Sequence, residues 1–401
     1  MRAFVLADDL TGAADTGLPF VRAGLSARVL LGDDAFENVG DADVLVASTE
    51  TRNLPPDAAG AIISEWARRL AGLSGEPLMI KKIDSTLRGW IGAEIKTLLD
   101  ALPTACTAWI VPAYPAQGRR MQGGLYTVRG VPLHRTEFAR DVLGCAEDSV
   151  VPALLQTQMG ERIGFVSSDV LAEGPEAVGE AVERARREGQ RAILFDTWTD
   201  EDLDRIVAAG QRARPPILWA GSAGLANALA RHLAAGDGSR VVVPPSPGPV
   251  VLVAGSRNPA TLRQIAFLRD RVDIGQLTLA DAGENASAPH YLLTVGEEPG
   301  TGHADELAVA SQLGAAAARV ITRCGSERLI LTGGDTAAAT LRHLDARSLE
   351  ILGAVEEGIP LLRIAGGAAD GALAVTKAGG FGSPSSLYAA FARLTQQEES
   401  A

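Results

Sequence analysis

Short apolar runs alternate with amphipathic helical stretches along almost the whole chain, and that alternation leaves few folds open. Residues 3–7, 43–47, 78–83, 108–112, 163–166, 191–195 and 217–220 read as buried strands, with helices over 58–73, 92–102, 174–188 and 200–212 between them. A strand covered on both faces is apolar throughout, and strand–helix–strand order lays successive strands parallel in one sheet. A helix over 223–233 closes this first set. The pattern then breaks at residues 244–249, where four prolines make a stiff stretch that cannot continue a helix. Beyond it strands resume at 250–254, 275–278, 290–294, 328–332 and 359–364, with a long helix at 306–322. At 401 residues the chain exceeds one ordinary core. The expected fold class is therefore α/β, with two doubly wound, mostly parallel domains: residues 1–240, a Pro-rich linker at 241–249, and residues 250–401.

Lys plus Arg total 37 against 49 Asp plus Glu, a net charge of −12. Such a field repels polyanions, so nucleic acid and anionic membranes are poor partners, whereas a few local cations can still hold a small anion. The three cysteines are isolated, with no CxxC pair and no zinc spacing. The N-terminus shows no signal-peptide pattern, and no apolar run is long enough to span a membrane. Reduced thiols in a cytoplasmic protein fit these features. The histidines are scattered, so a Ser/His/Asp hydrolase and His-based metal chemistry fit poorly. Homo-oligomerisation is left open.

The first strand ends on Asp8-Asp9-Leu10-Thr11-Gly12, with Asp15 a turn later. Open α/β sheets bind ligands beyond the carboxyl ends of their strands, which makes these acids candidate functional groups. The alternative is that Asp9 or Thr11 only caps the next helix. Three further polar loops follow strands in the same half. One holds Ser48-Thr49-Glu50-Thr51-Arg52, another Lys81-Lys82-Ile83-Asp84-Ser85-Thr86-Leu87-Arg88, and the third Gln117, Arg119 and Arg120. Strand alternation sends Lys81 and Lys82 to opposite faces, so one of them at most shares a ligand with Asp84. Carboxylates for hydroxyls beside cations for a carboxylate are the mixture that a polyhydroxy acid requires. If the strands are parallel, all these loops share one rim.

The second half offers glycines instead. Gly255-Ser256 and Gly333-Gly334-Asp335-Thr336 each join a strand to a helix, and Gly379, Gly380 and Gly382 follow Lys377. Glycine lets a phosphate approach the backbone, and the N–H groups and dipole at a helix start attract anions. Three such loops in one domain point to a nucleotide. Neither G-x-x-x-x-G-K-[ST] nor a G-x-G-x-x-G opening a helix after the first strand of either half is present, which excludes a P-loop and disfavours a dinucleotide-binding domain. Gly221-Ser222-Ala223-Gly224 reads as a structural helix start.

Residues 7–17 (ADDLTGAADTG), 81–89 (KKIDSTLRG), 112–119 (PAYPAQGR), Gly255-Ser256, 333–336 (GGDT) and 377–382 (KAGGFG) together resemble the four-carbon acid sugar kinase family. Its members include 3-oxo-tetronate, D-threonate and D-erythronate kinases. The resemblance implies a sugar-acid-binding N-terminal domain, an ATP-binding C-terminal domain and an active-site cleft between them. Ser256, Gly333, Gly334, Asp335, Thr336 and Gly379 would contact ATP. At 378 this chain has Ala where the family pattern has Ser, so the contact there rests on the glycine backbone. The implied reaction is ATP-dependent phosphorylation of the 4-hydroxyl of a tetronate, a small-molecule substrate. Such a reaction relies on positioning and charge stabilisation. Asp9 or Asp8 would accept or orient the hydroxyl proton. Asp15, Arg52, Lys82, Asp84, Ser85, Arg88, Gln117 and Arg119 would bind the sugar acid, and Asp335 is the candidate ligand for Mg²⁺. Competing readings are a nicotinamide-dependent hydroxyacid dehydrogenase and a non-catalytic sensor of sugar acid and nucleotide.

Overall fold

The computed structural model describes residues 1–32, 41–72, 77–136, 138, 149–213, 216–234, 236, 248–279, 288–295 and 303–396. Residues 241–247 of the Pro-rich linker lie outside the described residues. The chain forms two compact units, Met1–Leu25 with Asp43–Asp237 and Ser26–Ala42 with Gly238–Ala401.

In the first unit a parallel sheet runs in the order Val44–Ser48, Ala3–Ala7, Leu78–Lys82, Ile217–Gly221, Thr107–Val111, Ala192–Phe195, Gly164–Val166. Its inner strands are apolar and buried, as a sheet covered on both faces requires. The core gathers on Trp109, whose ring centroid lies 4.9 Å from that of Phe195 and 5.3 Å from that of Trp219. Helix Asp200–Arg212 starts where its sequence says it should. The Thr199 hydroxyl accepts from the Asp202 N–H, and the Asp202 carboxylate accepts from the Thr199 N–H. Ser222 likewise caps helix Ala223–Leu233, accepting from the Gly224 N–H, and donates to the Ala113 carbonyl, a structural use of that glycine turn.

Ala3–Ala7 lies between the strands Val44–Ser48 and Leu78–Lys82, which follow it in this unit. The chain thus changes direction across the sheet at that strand, the kind of point at which open α/β sheets place ligands. A feature absent from the sequence reading is the antiparallel ribbon Arg119–Gln122, Leu125–Val128 and Val131–Pro132, expected only as a loop. Asp196 fixes its turn by accepting from the N–H groups of Gly123 and Gly124 at 2.8 and 3.1 Å.

The second unit begins as a parallel sheet, Gly275–Thr278, Tyr291–Thr294, Val250–Ala254, Arg328–Thr332 and Leu373–Lys377. It continues antiparallel through Ile359–Ala365 and Ser348–Glu356 to Ala27–Leu30. That last strand falls within the sequence range 1–240 yet belongs to this unit. Leu252, Ile330, Val375, Leu387 and Phe391 form the core. Among the described residues no helix is long and apolar enough to cross a membrane.

Lys81 explains itself inside the first unit. Fully buried, its amine meets Glu94 of helix Ile91–Ala101 at 2.6 Å. Removing one partner of such a pair strands the other charge, whereas replacing both with apolar groups is close to neutral. Lys81→Met is expected to cost about 3–5 kcal/mol, and Lys81→Met with Glu94→Leu to recover most of it, as read by thermal unfolding. A single variant as stable as the parent would show that the pair has no structural role.

Candidate functional site

Because the strands of the first unit are parallel, the loops after Ala3–Ala7, Val44–Ser48, Leu78–Lys82 and Thr107–Val111 emerge at one edge. The loop of residues 49–52 is tied to the end of Ala3–Ala7 by Thr49 N–H and Thr49 Oγ1 donating to the Ala7 carbonyl, and by Arg52 N–H donating to the Asp8 carbonyl. That attachment delivers the Arg52 guanidinium to the acids. Its Nε donates to Asp8 Oδ2 at 2.9 Å and its Nη2 to Asp8 Oδ1 at 2.8 Å, a bidentate pair. The same Nη2 reaches Asp9 Oδ1 at 2.6 Å and lies 3.9 Å from Asp84 Oδ1.

Asp9 also caps helix Leu10–Arg22, accepting from the Gly12 N–H at 3.1 Å and from Thr11 Oγ1 at 2.6 Å. Capping and a place in the charge cluster are therefore both realised in one carboxylate. Asp84 is held from the other side by Arg88, Nε to Oδ2 at 2.9 Å and Nη2 to Oδ1 at 3.0 Å, with the Thr86 hydroxyl and N–H on Oδ2.

Lys82 is buried and its amine donates to the Ile83 carbonyl at 2.9 Å, one use of three donors. A side chain at position 12 would fall 3.2 Å from that amine and overlap Asp9 Oδ1, so Gly12 keeps the acid and the amine close. The sequence names Gly12 in the strand-end motif without assigning it a task. Asp15 sits half-buried one turn further along the same helix. Ser85 and Arg119 both meet Tyr126, a fully buried residue whose hydroxyl donates to the Ser85 carbonyl at 2.8 Å and which feels the charges of Arg119 and Asp84. Gln117 ends the short 3-10 turn Pro115–Gln117, and its carbonyl accepts from Arg119 Nη1.

The charges reinforce one another. Burial alone would raise the Asp8 carboxyl, but Arg52, Lys81 and Lys82 outweigh it and hold it below its ordinary value. Burial opposes ionisation of Asp84 too, and Arg88, Arg52 and Lys82 hold that carboxyl well below the usual range. Both are carboxylates at neutral pH.

The second unit builds a different surface. Val250–Ala254, Arg328–Thr332 and Leu373–Lys377 are adjacent, and the register pairs Ala254 with Thr332 and Thr332 with Lys377. The turns that follow them therefore lie side by side. A Cβ on Gly255 would overlap Thr336 Oγ1, and one on Gly379 would overlap Ser256 Oγ. Gly333, at φ +101°, lies where its Cβ would fall 3.3 Å from the Ser256 nitrogen. Helix Gly334–His343 starts after Gly333, which has no side chain to cap it, and a helix start of this kind attracts anions. This bare cradle of glycines fits nucleotide phosphates. Asp335 is exposed in the first turn, and among the described residues no three His, Cys, Asp or Glu side chains cluster as a metal cage. Mg²⁺ needs no such cage, since phosphates, water and one or two carboxylates suffice.

The clamped acids have a measurable consequence. A carboxylate whose folded value lies below its unfolded one stabilises the fold above the unfolded value and loses that contribution as pH falls through the folded one. Arg52→Met leaves Asp8 and Asp9 without their shared partner. It is expected to lower the melting temperature most near pH 7, with the difference from the parent shrinking below about pH 4 as Asp8 protonates. A difference independent of pH would show that Arg52 acts by packing alone.

Two family models match the chain, the sugar-binding N-terminal domain over residues 3–229 and the nucleotide-binding C-terminal domain over residues 251–387. The chain is 32% identical to a D-threonate kinase of Bordetella bronchiseptica over 94% of each sequence. It is 30% identical to a 3-oxo-tetronate kinase of Methylobacterium radiotolerans, over 94% of this chain and 95% of that one. A D-erythronate kinase of Heliobacterium modesticaldum is 29% identical, over 94% and 93%. A crystal structure from Salmonella typhimurium LT2 shares the fold at a TM-score of 0.76 and 23% identity, covering 97% of this chain and 98% of its own. A Bordetella bronchiseptica protein with bound citrate, solved as a domain-swapped dimer, is 31% identical over 98% of each chain with a TM-score of 0.51. With both domain models matched in order and relatives at this identity along its whole length, the chain belongs to the four-carbon acid sugar kinase family.

Proposed function

We propose that this chain transfers the terminal phosphoryl group of ATP to the 4-hydroxyl of a four-carbon sugar acid, giving the tetronate 4-phosphate. D-threonate, D-erythronate and 3-oxo-tetronate are the substrates named for its relatives. The observation that carries the reading is the packing of three strand-end turns into one surface, in which Gly255 and Gly379 lie against the hydroxyls of Thr336 and Ser256 and leave only small groups there. The first unit supplies the complementary chemistry, carboxylates and cations clustered at a strand end.

Bound ATP and Mg²⁺ supply an activated phosphoryl group whose charge is partly neutralised. The chain's residues do the rest by position. N–H groups of Gly334 and Asp335 take the phosphate oxygens, and Asp335 is the carboxylate offered to Mg²⁺. Arg88 is already engaged on Asp84, so Lys82, with donors to spare, is the better partner for the substrate carboxylate. The Arg52 guanidinium holds both oxygens of Asp8 but only Oδ1 of Asp9, whose Oδ2 takes the neutral Thr11 hydroxyl, so Asp8 is the poorer base. Asp9 is the more exposed of the two, at 13% against 5% of its side chain, and is assigned the reacting hydroxyl and its proton. Asp15, Ser85, Gln117 and Arg119 line the approach to the remaining hydroxyls.

The test is ADP release with Mg-ATP and separate tetronates. Turnover is expected with at least one acid and none without it. Lys82→Met is expected to lower kcat/KM for the acid by about 10- to 100-fold, the worth of one charged hydrogen bond, while leaving KM for ATP nearly unchanged. Gly379→Ala should do the reverse, raising KM for ATP. No ADP above the acid-free blank with any tetronate would overturn the kinase reading.

A further inference from the structure

Leu373–Lys377 ends on a cation that is 1% exposed, too deep for Nζ to reach a nucleotide freely. The Lys377 amine lies 2.9 Å from the Ala378 carbonyl, 3.1 Å from that of Gly379, 3.2 Å from that of Phe381 and 3.3 Å from Thr261 Oγ1. Three N–H donors serve four acceptors, and three of those are carbonyls of a single loop. Helix Pro259–Arg269 braces the same loop. Thr261 Oγ1 donates to the Gly379 carbonyl at 2.8 Å, and Gln264 Nε2 donates to the carbonyls of Phe381 and Ser383 at 3.0 and 2.8 Å.

In a planar trans peptide the N–H points away from the C=O. Drawing the carbonyls of Ala378, Gly379 and Phe381 toward one ammonium therefore turns the N–H groups of Gly379, Gly380 and Gly382 away from it. None of these three donates in the described hydrogen bonds. Gly379 at the same time packs against Ser256 Oγ, in the glycine cradle.

We propose that Lys377 is a positioning residue of the nucleotide site, whose buried ammonium gathers the carbonyls of the Gly379 loop so that the loop presents its N–H groups to phosphate. This deepens the kinase reading and rests on it. A neutral amine would lose one donor and its charge, and with them the hold on three carbonyls. Burial lowers the Lys377 amine to about 8, with Glu356 pulling the other way. Glu356 is the charged group that acts on it, while Thr261 and Gln264, facing it from the helix, are neutral. The loop is thus set at pH 7 and loosens as pH climbs through about 8. The last ionisation of a phosphate monoester is centred near pH 6, below that window.

The experiment is calorimetric titration of the whole protein with ADP, without sugar acid, between about pH 7 and pH 9.5. The dissociation constant is expected to stay level to about pH 7.5 and to be about tenfold weaker by pH 9. Lys377→Arg keeps its charge throughout and should bind with a level profile, whatever its absolute affinity. Lys377→Met should bind weakly at every pH, with its melting temperature reporting whether it folds. Should Lys377→Met fail to fold, the parent and Lys377→Arg profiles still decide. A parent profile level to pH 9.5, or an alkaline loss retained in Lys377→Arg, overturns the proposal. ADP that binds at no pH overturns instead the assignment of the nucleotide site on which it rests.

Discussion

Three carboxylates, Asp8, Asp9 and Asp84, converge on one guanidinium, and the candidate site of the first unit depends on that charge. Two like charges about 4 Å apart repel by about 4 kcal/mol in a protein-like dielectric. Unpaired, such acids would take up protons or push the strand ends apart. Arginine suits the task better than lysine, because its planar fork stays charged at any accessible pH and engages two acids along different edges. Burial works against the Arg52 charge, yet Asp8, Asp9 and Asp84 together raise its value well above the ordinary one. The loops that bring these groups together also carry backbone strain. Glu50 at φ +52° and Leu87 at φ +61° are non-glycine residues in the left-handed region, and Leu87 is buried. At about 1–2 kcal/mol each, that strain persists because the surrounding contacts over-determine the loops.

In the proposed reading the two units handle anions by opposite means. At the first, charged side chains form a network whose geometry is fixed by ion pairs. At the second, the binding groups are backbone N–H donors, and the side chains packed around them are small. Gly255 and Gly379 each sit where a methyl group would collide with a hydroxyl of a neighbouring turn. Parallel pairing in register makes this possible. Strands ending at Ala254, Thr332 and Lys377 stop at one level, so three turns distant in sequence become one surface.

Much of this was legible in the sequence. The apolar runs of the parallel strands announce themselves because burial on both faces leaves few polar positions, the lysines at strand ends among them. The motif at 84–88 was legible as a group of charges at a strand end, and the structure pairs two of them, Arg88 with Asp84, within the loop itself. What was hidden follows a physical pattern. Residues 359–364 read as a strand, but Ser348–Glu356, interrupted by Gly353, did not, so the antiparallel pairing of the two has no local signature. Ala27–Leu30 finds its partner more than three hundred residues away, which no window along the chain can see. Gly12 and Lys377 show the same limit at the site. Each acts through a neighbour that the fold supplies, Asp9 and Lys82 for one and the carbonyls of a turn for the other.

A protein of net charge −12 that serves two anionic ligands must solve an electrostatic problem locally. At physiological ionic strength the field of distant surface acids is screened within about 8 Å, so the charges that decide binding are those within a few bonds of the ligand. Burying those cations strengthens them, because a desolvated ammonium with unused donors interacts more strongly than a hydrated one. Lys82 and Lys377 are both placed in this way, each at the carboxyl end of a parallel strand and each holding a carbonyl of the turn that follows. The difference lies in what remains. Lys82 has donors left for a ligand, whereas Lys377 has more acceptors than donors and is spent on the loop itself. In the proposed reading, one strand-end lysine therefore meets an anion directly, and the other shapes the backbone that does.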